Sequence, residues 1–256
     1  MKYKFIIIKS KYILLAFAAI ILLPLLCLYS TKSAEVFNVN GREIPIYSVK
    51  RDDNKIAVTF DCAWNDNDID SILDTLDNYN CKATFFIVGE WAEKYPESLK
   101  KIYERGHEIG NHSYSHKDYT KLSAEEIKTD LNKCDMAIRY ATGYVPRIVR
   151  APSGGYSDPL IELCDIRGTE CIQWSVDGID YGDADRDGII KRSTSKTKSG
   201  DIILLHNGTK HTAEVLPDIL NTLSGDFKFV TVSELIYKDG YIIDHTGCQI
   251  KKQEDL

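Results

Sequence analysis

Apolar, β-rich runs alternate with amphipathic helical stretches along most of this chain, and that alternation limits its fold more than any other feature. Hydrophobic periodicity predicts seven strands, at residues 56–62, 83–89, 107–111, 148–151, 171–177, 201–206 and 228–232. It predicts helices at residues 69–79, 92–105, 124–140, 158–167, 188–196 and 213–223. Strands separated by helices of this length pair in parallel through right-handed crossovers, which indicates an α/β sheet or barrel.

The first 34 residues differ in composition from the rest. Four lysines precede an apolar run of 18 residues, 12–29, which is typical of a signal peptide or a single membrane anchor. The lysines favour a cytoplasmic N-terminus and predict that the remainder is exported, secreted or anchored in the membrane. The predicted organisation is a leader or anchor (1–34), a lead-in (35–54), one main domain (55–238) and a polar C-terminal tail (239–256).

The net charge of the exported part narrows the range of partners. The leader holds five lysines and no acidic residue, so without it the formal net charge falls from −6 to −11. Such a surface repels nucleic acid phosphates and favours a neutral or mixed-charge polymer, bound by a monomer.

Six of the seven cysteines follow the leader. Most of them lie in apolar or helical patterns, which predicts buried free thiols.

Ionisable residues cluster where the predicted strands end. These positions are Asp61, His112, His116, Arg150, Asp177, Asp180 and His206. In α/β barrels and open sheets the active site lies at the carboxyl edge of the strands. The histidine pair alone would be weak evidence, but together these positions predict one catalytic pocket.

Five motifs at these positions resemble the polysaccharide deacetylases of the NodB-homology type, carbohydrate esterase family 4. They are TFDCA (59–63), HSYSH (112–116), RAPSG (150–154), DGIDY (177–181) and LLH (204–206). The matching stretch runs from about Lys55 to Tyr237, and stretches such as IPIYSVK are most similar to the sporulation-associated branch. The resemblance implies a distorted (β/α) barrel of about seven parallel strands.

The resemblance also implies a reaction, the hydrolysis of N-acetyl groups in an amino-sugar polymer such as peptidoglycan or chitin. Asp61 matches the general base and is paired with Arg150, whereas His206 matches the general acid and is paired with Asp180. The backbone N–H of Ser153 matches the oxyanion position, and Tyr181 and Leu204 would line the acetyl pocket. Asp177 is a weaker candidate.

A divalent metal, zinc, is implied as cofactor, with His112 and His116 as ligands. The family places a second aspartate where this chain has Cys62. Three arrangements therefore stay open for the third ligand: a Cys62 thiolate, another group such as Asp66, or two histidines completed by water.

Two functions from different classes follow. The first is an exported, metal-dependent N-deacetylase of cell-wall or spore-cortex peptidoglycan. The second is a wall-polysaccharide-binding module with a degenerate metal site. Intact acid and base pairs favour the enzyme, and Cys62 favours the binding module.

Overall fold

The computed structural model describes residues 44–252. The chain divides into two units, Met1–Ala34 and Glu35–Leu256, and all described residues belong to the second. The predicted leader or anchor, and Cys27 with it, lies outside the described residues. Within 44–252, none of the helices has the length and apolar character needed to cross a membrane.

A parallel sheet forms the centre of the domain. Its strands are β2 (Lys55–Cys62), β3 (Thr84–Ile87), β4 (Glu108–Asn111), β5 (Ile148–Val149), β6 (Glu170–Cys171), β7 (Val176–Asp177), β8 (Ile202–His206) and β9 (Lys228–Phe229). Seven of them follow the order β6-β5-β4-β3-β2-β8-β7, and β9 pairs with the start of β2. The predicted α/β barrel of about seven parallel strands is confirmed.

Helices connect the strands. They are α1 (Ile69–Asn78), α2 (Gly89–Lys94), α3 (Pro96–Glu104), α4 (Ala124–Thr142), α5 (Asp158–Arg167), α6 (Arg186–Thr194), α7 (Thr212–Ser224) and α8 (Val232–Leu235). A capping box between Ser123 and Glu126 begins α4. The predicted helix 92–105 is wrong as a single element, because Pro96 lacks a backbone N–H and begins a new helix.

The predicted strand 171–177 is also two elements, and they form the two ends of the sheet. Between them, Ile172 N donates to Val149 O at 2.8 Å and Ser175 N donates to Ile202 O at 3.1 Å. The chain therefore crosses from the β5 side of the sheet to the β8 side. Ile46 lies beside this crossing, where Gln173 N donates to Ile46 O at 2.7 Å.

The region around the main domain has structure that the sequence did not reveal. Residues 239–256 were predicted as a polar tail, but β10 (Tyr241–Ile243) and β11 (Cys248–Lys251) form an antiparallel hairpin there. The lead-in supplies β1 (Ser48–Val49), which pairs with β11. These three strands make a small second sheet.

Side chains alternate along β2, and this alternation separates the core from the site. Ile56, Val58, Phe60 and Cys62 belong to a large apolar cluster shared with the buried faces of α1 and α7. Thr59 and Asp61 point to the other side and contact Arg150. Successive side chains of a strand point to opposite faces of the sheet. At the end of β2, Asp61 therefore points toward the site and Cys62 toward the core.

Candidate active site

A pocket of about 430 Å³ lies at the carboxyl edge of the sheet. The predicted residues that line it are Asp61, His112, His116, Ser153, Asp177, Tyr181, Leu204 and His206. Asp61 and His206 are partners in the register of β2 and β8. The fold thus brings the predicted strand ends together, as parallel strands require.

Arg150 fixes Asp61 from beneath the pocket. Its Nη1 donates to Asp61 Oδ1 at 2.7 Å and to Thr59 Oγ1 at 2.9 Å, and its Nη2 donates to Gln173 O at 3.0 Å. The guanidinium is completely buried and lies 3.9 Å from the centre of the Phe86 ring. A buried cation with these partners holds the carboxylate in one orientation.

The charge state of Asp61 follows from this pair. Burial raises the pKa of Asp61, but its interactions with His112, Arg150 and His206 lower it by more, so the pKa lies below its usual value. The arginine charge is permanent under ordinary conditions. Asp61 is therefore a carboxylate at neutral pH, able to accept a proton.

Asp180 fixes His206 at the end of the neighbouring strand β8. Asp180 Oδ1 lies 2.7 Å from His206 Nδ1, and Asp180 Oδ2 accepts a hydrogen bond from His206 N at 2.7 Å and another from Thr212 Oγ1. Burial lowers the pKa of His206, but the hydrogen bond to Asp180 and the charges of nearby aspartates raise it by more, so the pKa lies above its usual value. With Nδ1 bound to Asp180, Nε2 is left for the pocket.

The histidine pair lies on a tight loop after β4. His112 Nδ1 lies 2.9 Å from the carbonyl oxygen of Arg150; since a carbonyl only accepts, Nδ1 carries the proton. Burial lowers the pKa of His112 to about 4 and also lowers the pKa of His116. Both rings are thus neutral at pH 7, and their centres are 5.1 Å apart.

These two imidazoles suit a metal ion. Fixing one ring nitrogen of His112 on a carbonyl oxygen leaves Nε2 as a lone-pair donor, an arrangement that metal-binding histidines commonly use. Nε2 faces Asp61 Oδ2 at 3.3 Å, so two acceptor atoms meet at the pocket wall.

Neither of the two side chains considered for the third ligand, Cys62 and Asp66, lines the pocket. Cys62 is completely buried in the apolar cluster and does not line the pocket, and burial raises the pKa of its thiol well above the usual value. Asp66 does not line the pocket either, since its Oδ2 accepts from Ser98 Oγ at 2.7 Å.

The donor set is therefore incomplete. Between residues 44 and 252, no three His, Cys, Asp or Glu side chains come together to hold a metal ion. A lasting catalytic zinc site normally has three protein ligands. The described residues supply two imidazoles, which do not complete a catalytic zinc site of this kind.

The remaining predicted residues lie at the pocket wall. Ser153 has a left-handed backbone, with φ at 53°, and Leu204 is nearly buried. Asp177 also lines the pocket, and its Oδ1 accepts from Ile179 N at 2.8 Å, which shapes the turn leading to Tyr181.

Sequence reasoning missed three residues of the lining, Ala63, Trp64 and Trp174. Trp64 follows the tip of β2 by two residues, and Trp174 lies in the crossing between β6 and β7. Both tryptophans lie close to strand ends, and this position is the sequence signal that could have identified them as pocket residues.

Comparisons with known proteins identify the family to which this chain belongs. The family profile described as "polysaccharide deacetylase" matches residues 48–169. The structure of the Bc1960 peptidoglycan N-acetylglucosamine deacetylase superposes with a TM-score of 0.72 and 30% identity, covering 76% of this chain and 94% of that one. This chain belongs to the polysaccharide deacetylase family.

Other relatives differ in what their names say of activity. The peptidoglycan-N-acetylmuramic acid deacetylase PdaC of Bacillus subtilis is 35% identical over 70% of this chain. Wild-type BA3943 from Bacillus anthracis, called a family 4 pseudoenzyme, superposes with a TM-score of 0.72 and 29% identity, covering 82% of this chain and 73% of that one. The chain spans 38% to 60% of the length of the first curated relatives it matches.

Proposed function

We propose that this domain removes N-acetyl groups from an amino-sugar polymer of the peptidoglycan type. The observation that carries the proposal is a pair of fixed groups with opposite pKa shifts, at the ends of neighbouring strands in one pocket. Asp61 is held ionised by Arg150, and the hydrogen bond to Asp180 favours the protonated form of His206. Two titratable groups whose surroundings push their pKa values apart make a base and an acid available at the same pH.

Hydrolysis of the amide needs both groups. Asp61 takes a proton from the attacking water, which adds to the acetyl carbonyl carbon. His206 gives the proton on Nε2 to the sugar nitrogen as the carbon–nitrogen bond breaks. The products are acetate and a free amine on the sugar.

The walls of the pocket suit the acetyl group. The backbone N–H of Ser153 is the family's donor to the developing oxyanion, and Ser153 lines the pocket here. Leu204 and Tyr181 also line it and give the acetyl methyl an apolar surface.

Acetate release tests this function. Purified protein is incubated with N-acetylated peptidoglycan and, separately, with chitooligosaccharides, with and without Zn²⁺. We expect acetate from wild type and a loss of about a hundredfold to ten-thousandfold in rate for His206→Ala. His245→Ala is the matched control, because His245 is exposed and does not line the pocket. A folded His206→Ala variant with the wild-type rate would remove His206 from the mechanism.

A second function, binding of wall polysaccharide without turnover, is favoured by one observation. Cys62 is buried in the core, which leaves the metal donor set with two imidazoles. The similarity to the BA3943 pseudoenzyme supports the same possibility. Under this function wild type releases no acetate from either substrate with Zn²⁺ supplied, yet sediments with purified cell walls.

The site of action and the finer target belong to the same proposal. The domain acts outside the cytoplasmic membrane on cell-wall or spore-cortex peptidoglycan, supported by the four lysines before the apolar run and by the sporulation-type sequence stretches. Protease added to intact protoplasts should digest the domain. Complete protection would contradict this location.

A further inference from the structure

Trp64 is a large aromatic residue left partly exposed at the mouth of the pocket. Its side chain is 47% exposed, whereas Trp91 on the nearby helix α2 is 2% exposed. Trp64 lines the pocket, and its ring centre lies 5.4 Å from that of His206, with 34° between the ring planes. An exposed apolar surface beside a set of catalytic residue types marks a contact surface for a ligand.

A second aromatic ring completes this surface. Tyr181 is 46% exposed, and its ring centre lies 5.5 Å from His206 at an interplanar angle of 85°. The His206 imidazole therefore has two aromatic rings as neighbours, and both of them line the pocket.

From this arrangement we infer that Trp64 is a substrate-binding residue that stacks on the ring of a neutral N-acetylhexosamine with equatorial substituents. Such a sugar presents axial C–H bonds on its faces, and these bonds suit the electron-rich face of an aromatic ring. The inference rests on the proposed function only in taking this pocket as the sugar site.

The charge of the pocket argues for a neutral sugar. Its lining includes Asp61 and Asp177, and among the described residues that line it there is no lysine or arginine. Arg150 offsets the charge of Asp61, and Asp180 offsets that of His206, so the Asp177 carboxylate is the lining charge that disfavours a sugar with its own free carboxylate. Trp64 and these charges together select a neutral, flat-faced sugar unit.

Binding of chitotetraose, measured by isothermal titration calorimetry, tests the role of Trp64. We expect Trp64→Ala to raise Kd about threefold to tenfold and Trp64→Phe to retain most of the affinity, because a smaller ring still stacks. Tyr140→Ala is the matched control, since Tyr140 is 93% exposed and does not line this pocket. Thermal unfolding of each variant is recorded beside the titration.

Each outcome decides the inference. A raised Kd for Trp64→Ala with an unchanged melting temperature supports it. An unchanged Kd, a loss of stability that accounts for the weaker binding, or no binding of chitotetraose by wild type overturns it. N-acetylmuramic acid with a free lactyl carboxylate should bind more weakly than N-acetylglucosamine, and equal binding would overturn the selection for a neutral sugar.

Acetate release is measured separately, so the two proposals fail separately. If wild type releases no acetate but Trp64→Ala still weakens chitotetraose binding, the deacetylase function fails and the stacking role stands. If wild type releases acetate and Trp64→Ala leaves Kd unchanged, the stacking role fails and the deacetylase function stands.

Discussion

Replacing Asp180 by asparagine removes the charge that favours the protonated form of His206 while keeping the size of the side chain. In the wild type, one carboxylate oxygen lies 2.7 Å from His206 Nδ1 and the other accepts from His206 N and Thr212 Oγ1. An asparagine can keep its carbonyl oxygen toward the backbone N–H and the threonine hydroxyl. Its NH₂ group then faces Nδ1, which must become an acceptor and lose its proton.

The size of the effect follows from this contact. A hydrogen bond to a charged group contributes about 1.5–3 kcal/mol, and 1.4 kcal/mol corresponds to a factor of about ten in a protonation constant. The proton affinity of His206 should therefore fall about tenfold to a hundredfold. Burial disfavours the positively charged imidazolium. Without the Asp180 charge to offset burial, the pKa of His206 should drop below its usual value.

Two measurements check this prediction. NMR titration of His206 reports its pKa directly, whether or not the protein turns over substrate. In the pH profile of acetate release, the limb at which His206 loses its proton should move to lower pH, and the rate at pH 7 should fall at least about tenfold. Asp183→Asn is the control, because Asp183 is an exposed aspartate that does not line the pocket.

The reasoning would be refuted by an unchanged His206 titration in a folded Asp180→Asn variant. It would also be refuted if the profile moved to higher pH, because loss of a neighbouring negative charge can only disfavour the imidazolium.

Arg150→Met should lower the free energy of unfolding by about 3–5 kcal/mol in urea denaturation, because it leaves the Asp61 carboxylate buried without its partner; a loss below about 1 kcal/mol would contradict the pairing. Cys62→Asp should lower the melting temperature in metal-free buffer more than Cys62→Ser does, since position 62 lies in the apolar cluster; equal melting temperatures would indicate that the side chain reaches the pocket. Burial lowers the pKa of His107 to about 4. The free energy of unfolding of the wild type should therefore fall by up to about 3 kcal/mol as the pH falls from 6.5 to 4, because over this range the unfolded chain binds a proton that the folded chain does not. His107→Gln should reduce this pH dependence of the free energy of unfolding, measured by urea denaturation at pH 7 and pH 4.5. An unchanged pH dependence would show that other groups cause it. His116→Gly should unfold at or above the wild-type temperature, because φ at 53° favours glycine; a clear loss of stability would show that the ring is needed for packing.

Much of the site could be predicted because each key residue ends an apolar strand. Asp61, Arg150 and His206 follow β-rich runs whose parallel pairing places them at one edge, and pairing depends on local patterns that the sequence displays. The predicted pairs Asp61–Arg150 and Asp180–His206 are present in the structure. Their roles in turnover stay predictions.

The errors have physical causes that residue types alone do not reveal. The direction of Cys62 depends on where β2 ends: the strand continues through residue 62, so its side chain points away from that of Asp61. The C-terminal hairpin lies in a polar stretch, but it gains a partner in β1, about 200 residues earlier in the chain. Trp64 has no apolar pattern around it, and only the folded pocket gives it a role.

Backbone strain distinguishes the histidine loop from a loop kept only for stability. A buried pair such as Arg150–Asp61 would persist in a binding module as well as in an enzyme, because losing either partner strongly destabilises the fold. Ser113 N donates to Asn111 Oδ1 and His116 N donates to Ser113 Oγ, both at 2.9 Å. These two residues have positive φ, at 69° and 53°, as does Ser153 at the pocket wall. Non-glycine residues held in this region cost about 1–3 kcal/mol each and cluster at ligand sites. The chain therefore keeps two neutral imidazoles in a costly backbone arrangement, which supports a ligand at the pocket even though Cys62 has left the donor set incomplete.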